Sequence, residues 1–409
     1  MINKYFFKSS NIGIVWSIFL PVISLIFISL ITLYSTKGDL LIVESNFFKQ
    51  LIFCLIGLVV FYSVQLIRIN FFYEMAYFLY VALIIALVVT FFMPEKFGAT
   101  RWIFIGPLRF QPAEFGKIII VFTLSKYLSD YRGQSNNLKL IPIIMLIVIM
   151  PAALIFKQPD LGTAIIFPAI IFPLLLWAGI RPFYLFVVVS PLFSIIAAFN
   201  LQIFYIWMFL LLLIIFLSRP VLKDGIFLFI INLFSGTLSS FLWNNLYPHQ
   251  KNRILTFLDP ASDPLGAGYQ IIQSITAIGS GGFLGRGYGE GSQTHLRFLP
   301  VRDSDFIASV IGEEFGFIGI LVIFILFYWM LLTVIDRADK LNSQFGSFVL
   351  IGFSSIIFFH FIINMGVVVS LFPVTGLPLP FISYGGTFLI SMIFMISVIN
   401  NIINNDIEI

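Results

Sequence analysis

Charge is what this 409-residue chain has least of: 10% of its residues are Asp, Glu, Lys or Arg, where a soluble globule carries roughly a quarter. That deficit excludes an ordinary water-facing surface. The formal net charge of +4 is spread over many short loops and offers no basic patch for nucleic acid. Cysteine is scarcer still. Cys54 is the only one and lies inside an apolar run, which excludes a disulfide framework or a thiolate metal site. The three histidines, His249, His295 and His360, lack the spacing of a zinc site. No Gly-Lys-Ser/Thr sequence opens a helix, so there is no P-loop. The short alternating segments of a β-barrel are missing, and no repeat, coiled coil or low-complexity tract stands out.

Hydrophobic residues fill the space that charge leaves, at 60% of the chain with 50 phenylalanines and a mean hydropathy of +1.05. Apolar runs of about 20 residues recur, each able to cross a hydrocarbon core of roughly 30 Å, and backbone polar groups inside lipid require those runs to be helices. Candidate spans are 12–34, 48–67, 72–93, 112–130, 139–156, 161–178, 182–199, 202–217, 223–243, 306–334, 346–371 and 385–403. The expected fold is an all-α polytopic integral membrane protein of about 10–12 transmembrane helices, one membrane domain over 1–409. A long extracytoplasmic loop at about 244–305 precedes its last three spans. The pair at 202–243 reads either as two spans or as one broken or re-entrant element. The apolar run after Lys4 and Lys8 is too long for a signal-peptide core and lacks a cleavage site, so it reads as a retained first span. Basic residues in the short loops (Arg68; Lys126, Arg132 and Lys139; Arg181; Arg219 and Lys223; Arg337 and Lys340) put both termini in the cytoplasm.

With that orientation four polar or Pro/Gly-rich stretches face outward: 94–111, 157–162, 244–305 and 373–386. The longest is Gly-rich from Gly279 to Gly291, which suits close approach to a ligand and equally suits a flexible exposed loop. At its end Asp305 meets the apolar span 306–334. A partly desolvated carboxylate there has a raised pKa, fit for a general base, while the competing reading is a helix N-cap. Glu313 and Glu314, about two turns further on, need a cavity or a partner. Glu114 and Lys117 stand three apart on one helical face and read as an ion pair. Asp160 can cap the following span or bind a phosphate-linked substrate through a cation. Arg101 with Trp102 offers a charge and a flat face beside the membrane, and Trp there also fits an interfacial belt.

Five motifs together resemble one family: GATRWIFIGPLRFQPAEFGK (98–117), KQPDLGTA (157–164), FLDPASDPLGAGYQIIQS (257–274), FLPVRDSDFIASVIGEEFG (298–316) and PVTGLPLPFISYGGT (373–387). In this order they resemble the SEDS glycosyltransferases, the RodA, FtsW and SpoVE family, and lean towards its RodA branch. The resemblance implies a peptidoglycan glycosyltransferase that polymerises lipid II at the outer face of the bacterial inner membrane during cell elongation. Asp305 matches the family's catalytic aspartate in a motif like FLPExHTDFIF. It would take the proton from the acceptor sugar's 4-hydroxyl as undecaprenyl pyrophosphate leaves. Val301, Asp303 and Ser304 stand where that motif has Glu, His and Thr, and Asp303 adds a like charge that could raise one pKa or help hold a metal.

Residues expected to bind substrate, from the matching motifs and their polar neighbours, are Arg101, Trp102, Gln111, Glu114, Lys117, Asp160, Arg253, Asp263, Tyr269, Gln273, Ser274, Arg302, Glu313, Ser383 and Tyr384. A divalent cation, Mg or Mn, is a candidate cofactor. Implied partners are lipid II, the nascent glycan strand, a class B penicillin-binding protein, elongation-complex proteins and membrane lipid. The family pattern has ten spans, so two of the twelve are extra. Competing functions are a septal, FtsW-like polymerase, a lipid II flippase, and a scaffold for which Asp305 would be dispensable.

Overall fold

The computed structural model describes residues 13–38, 41–94, 100–105, 108–131, 140–180, 182–245, 251, 259, 268–296 and 298–406. Each of the twelve expected spans falls on a helix: α1 (Trp16–Thr36), α2 (Asn46–Gln65), α3 (Ile69–Val89), α4 (Pro112–Asp130), α5 (Leu140–Lys157), α6 (Leu161–Trp177), α7 (Pro182–Ala197), α8 (Leu201–Ser218), α9 (Leu222–Asn245), and then α12 (Ile307–Asp339), α13 (Gln344–Val368) and α14 (Gly386–Asn404). Eight are long and apolar enough to cross a membrane, and α5, α6 and α7 contain shorter apolar helices. Helix α4 carries Glu114, Lys117, Lys126 and Asp130. Side chains start several helices by accepting orphan backbone N–H groups: Ser45 from Phe48, Asn200 from Gln202 and Ile203, and Ser343 from Gly346.

The chain divides into two compact units, Met1–Leu174 with Asp259–Ile409, and Leu175–Leu258. In the first, α14 packs along α2, α4 against α3 and α13, and α12 against α1 and α13. Helices α13 and α14 are buried over 72% and 67% of their apolar stretches, against 22% for α2 and α3, so they form the centre of the unit. Lipid is as apolar as leucine, so such centres need polar ties as well as packing. Gln65, Asn400 and Asn401 supply them at one end of the helices.

In the second unit α9 packs on α7, and α8 on both. Asn232 joins them: its Nδ2 donates to Ser190 Oγ (2.8 Å), and Ser194 Oγ donates to its Oδ1 (2.6 Å). Trp207 Nε1 donates to Ser194 Oγ at 2.8 Å. The 202–243 stretch is thus two separate helices, parted at Arg219, whose φ is +43°.

Three features depart from the sequence reading. Residues 103–105 and 108–110 add a two-stranded antiparallel hairpin, pairing Ile103 with Phe110, to the expected all-α fold. The 244–305 stretch is not structureless: it holds α10 (Tyr269–Gly281) and α11 (Ser292–His295). And α12 is two helices joined at Gly316, whose φ of +63° is not helical. Glycine is required there because a β-carbon would collide with the backbone of Phe283, Leu284 and Gly285. The Gly-rich segment splints the break: Arg286 and Gly287 N–H donate to the carbonyls of Glu313 (2.9 Å) and Glu314 (3.2 Å). On the other side, Phe317 and Ile318 N–H donate to those of Gly282 (3.0 Å) and Phe283 (3.3 Å). Between Gly281 and Gly287, then, the glycines give close approach to a helix rather than to a ligand.

Candidate active site

The chain reaches Asp305 through a tight turn. Val301 sits at φ +53°, a costly conformation for a β-branched residue, and its carbonyl accepts from both Ser304 and Asp305 N–H, each at 3.2 Å. The N-cap position of α12 falls on Phe306, with no side-chain cap, so Asp305 is spared that duty. Its main chain is held from elsewhere. Asn364 on α13 donates from Nδ2 to the carbonyls of Asp305 and Leu377, both at 2.8 Å. Ser383 Oγ donates to Ser304 O and accepts from Leu379 N–H (2.8 Å), and Tyr384 N–H donates to Asp303 O at 2.9 Å. A β-carbon built on Gly376 would stand 3.7 Å from Asp305 Oδ2, which places the carboxylate against the 373–386 segment.

Burial pushes the Asp305 carboxyl above its ordinary range, and a hydrogen bond with Ser304 pulls the other way. Asp303 is not the cause. Asn46 Nδ2 donates to its Oδ2 at 2.6 Å, and Arg302 Nε lies 3.8 Å from its Oδ1. Arg302 in turn donates to Thr36 O (2.8 Å). These residues line a cavity of about 340 Å³ with Leu299, Pro300, Val301, Ser304 and Tyr384, immediately before Asp305 in the chain.

The 98–117 and 157–164 segments join the same assembly. Arg101 Nε stands 3.8 Å from Asp160 Oδ2, and the guanidinium also donates to the carbonyls of Gln158 and Pro159. Gln111 Nε2 donates to Asp160 Oδ2 at 3.3 Å, while Asp160 Oδ1 accepts from Thr163 N–H at 3.3 Å, so Asp160 caps α6. Gly162 lies directly under the Thr375 carbonyl, where a β-carbon would collide. The motifs are therefore brought together at one end of the helices. Trp102 beside Arg101 is half-buried, as are Tyr269 and Gln273, one turn apart on α10.

Several expected ligands are instead sealed into the framework. Lys117 is fully buried, its Nζ 2.8 Å from Glu114 Oε2 and 2.9 Å from His360 Nε2. Ser274 bonds Ser309 Oγ (2.8 Å) and Val368 O (2.6 Å), tying α10 to α12 and α13. Glu313 caps α11, accepting from Gln293 N–H (2.9 Å) and Thr294 N–H (3.1 Å). Glu314 accepts from Ser35 Oγ and from His295 Nε2, the latter at 2.9 Å. Arg253 and Asp263 lie outside the described residues. Sequence reading missed His360, Asn364 and Asn46. For the first two a signal existed: a histidine and an asparagine inside an apolar helix need partners there.

Among the described residues no three acidic, histidine or cysteine side chains gather around a point where a metal could sit. Asp303 and Asp160 are each already engaged by an arginine and an amide.

Comparison with known proteins gives the same grouping. The family model for FtsW, RodA and SpoVE, described as a cell cycle protein, matches residues 12–205 and 183–407. The peptidoglycan glycosyltransferase MrdB of Escherichia coli K12 is 35% identical over 316 residues, 76% of this chain and 73% of its own. The peptidoglycan glycosyltransferase RodA of Treponema pallidum is 30% identical over 401 residues, 90% of this chain and 92% of its own. Among solved structures, a chain from a peptidoglycan synthase complex that coordinates polymerization and crosslinking superposes with a TM-score of 0.72 at 25% identity, covering 96% of this chain and 98% of that one. The rod shape determining protein RodA of Thermus thermophilus superposes at 0.62 and 21% identity, over 96% and 98% of the two chains, and shares the fold.

Proposed function

Because the chain belongs to the FtsW, RodA and SpoVE family, we propose that it is a peptidoglycan glycosyltransferase of cell elongation, working at the outer face of the bacterial inner membrane with both termini in the cytoplasm. The observation that carries the reading is Asp305. Burial raises the pKa of its carboxyl, which is free of helix-capping duty, and its main chain is fixed directly after Arg302, Asp303 and Ser304, which line a cavity.

In the proposed reaction Asp305 accepts the proton of the acceptor GlcNAc 4-hydroxyl. The oxygen attacks the anomeric carbon of the donor MurNAc, the new C–O bond forms with inversion, and undecaprenyl pyrophosphate leaves with the bonding pair. General-base help of this kind is worth about 10²–10⁴ in rate. Neutralising the departing pyrophosphate supplies more. Arg101 and Arg302 are the described cations assigned to that task; buried Lys117 is not. Asn46, Asp303 and Tyr384 line a cavity suited to the hydroxyl and acetamido groups of a sugar. The strand made here would pass to a class B penicillin-binding protein for cross-linking.

The test is polymerisation of labelled lipid II by the purified protein reconstituted with that partner. Wild type is expected to make glycan strands, and Asp305→Ala to make none while eluting as a folded, monodisperse protein. Equal polymer from both would overturn the assignment of the base, and translocation of lipid II without polymer would replace the enzyme with a flippase.

A further inference from the structure

Helix α13 is apolar over most of its length, yet His360 and Asn364 stand one turn apart on it, both fully buried. His360 Nδ1 lies 3.3 Å from the Pro378 carbonyl and its Nε2 lies 2.9 Å from Lys117 Nζ. A carbonyl only accepts, so Nδ1 carries the ring hydrogen and Nε2 offers its lone pair to the ammonium. Asn364 donates to the carbonyls of Leu377 and Asp305. Leu377 and Pro378 are consecutive, so the two side chains grip neighbouring carbonyls of one segment. That segment returns through Ser383 and Tyr384 to the carbonyls of Ser304 and Asp303. The Glu114–Lys117 pair anchors the far side of His360, which fixes α13 against α4 at the same level.

We infer that His360 and Asn364 are positioning residues for the Asp305 carboxylate. Asn364 fixes its main chain directly, and His360 fixes the adjoining 377–378 carbonyls against the buried Glu114–Lys117 pair. The inference rests on Asp305 being the base and assigns work to two side chains that touch no substrate. A purely structural tie would respond to loss of packing. A positioning tie responds to loss of the donor and acceptor pattern, and chiefly in turnover.

The experiment compares His360→Leu, His360→Gln and Asn364→Leu in the reconstituted polymerisation assay, each first shown to be monodisperse with the thermal midpoint recorded. Glutamine can accept from Lys117 and donate to Pro378, whereas leucine can do neither. Both leucine variants are expected to lower kcat by about tenfold to 10²-fold, the scale of an ångström-sized misplacement. KM for lipid II should stay within about twofold, marking loss in the transition state rather than in ground-state binding. His360→Gln is expected to return to within about threefold of wild type. Unchanged kcat in the leucine variants, a rise in KM alone, or a glutamine variant as slow as the leucine one would each overturn the inference. If Asn364→Leu does not fold, the His360 pair decides it. Asp305→Ala run alongside separates the two levels. If it polymerises like wild type, the assignment of the base fails; if it is silent while the leucine variants keep full kcat, only the positioning role fails.

Discussion

Asp305 can take a proton only when ionised, and its burial raises the pH at which ionisation occurs. With Asp305 as the proposed base, polymerisation is expected to be lost as pH falls through a value above the ordinary aspartate value of about 3.9. A kcat–pH profile should show its acid limb displaced upward, and a limb at the ordinary value would contradict the burial described. Lys117 makes the opposite kind of prediction, about stability. Its Nζ pairs with a carboxyl group buried with it, so Lys117→Met leaves the Glu114 side chain buried without its partner. Breaking one member of a buried pair costs about 3–5 kcal/mol. The expected thermal midpoint is well below wild type, and the double change Glu114→Leu with Lys117→Met should recover part of the loss. A single variant as stable as wild type would show that the pair is not held as described.

At the level of elements, the break in α12 is the feature most exposed to test. Gly316→Ala must adopt φ +63° and ψ −157°, a region open almost only to glycine, with a β-carbon against the Gly285 backbone, so it is expected to lose more stability than the conformational cost of about 1–3 kcal/mol, read as a lower thermal midpoint. The exposed Ile325→Ala, further along the same helix, is the control expected to change little. The break also explains what sequence could and could not give. Apolar periodicity located the spans because lipid imposes one solution on every run, and the motif at 298–316 located Asp305. Periodicity ran straight through Gly316, however, since a glycine among apolar residues looks like any other helical glycine. Glu313, Ser274 and Lys117, expected as ligands, are held by partners inside the chain, which sequence left open for a related reason. A polar residue in an apolar setting announces that it needs a partner, but sequence does not say whether that partner is substrate or another part of the chain. Here the partners are α11 for Glu313, Ser309 for Ser274 and, for Lys117, both the nearby Glu114 that the sequence offered and the distant His360.

For the whole molecule, the proposed orientation follows from basic loop residues and can be read by labelling. Cys54 is the only cysteine, so a Cys54→Ser background accepts single reporters. Glu290→Cys, exposed on the splint segment, should react with a membrane-impermeant maleimide in intact cells. Asp339→Cys, exposed at the far end of α12, should react only after permeabilisation. The reverse pattern would invert the topology. The splinted joint at Gly316 has a mechanical meaning as well. Four main-chain hydrogen bonds cross it, which makes it a stiff elbow rather than a hinge. Its long arm, 317–339, is an apolar rod with many exposed side chains, and a rod longer than the local hydrocarbon thickness accommodates by tilting. A stiff elbow hands that tilt to its short arm, 307–315, which begins two residues after Asp305. With Asp305 as the proposed base, bilayer thickness is expected to bear on turnover: in proteoliposomes of graded acyl-chain length, turnover should pass through an optimum, and Gly316→Ala should flatten or shift it.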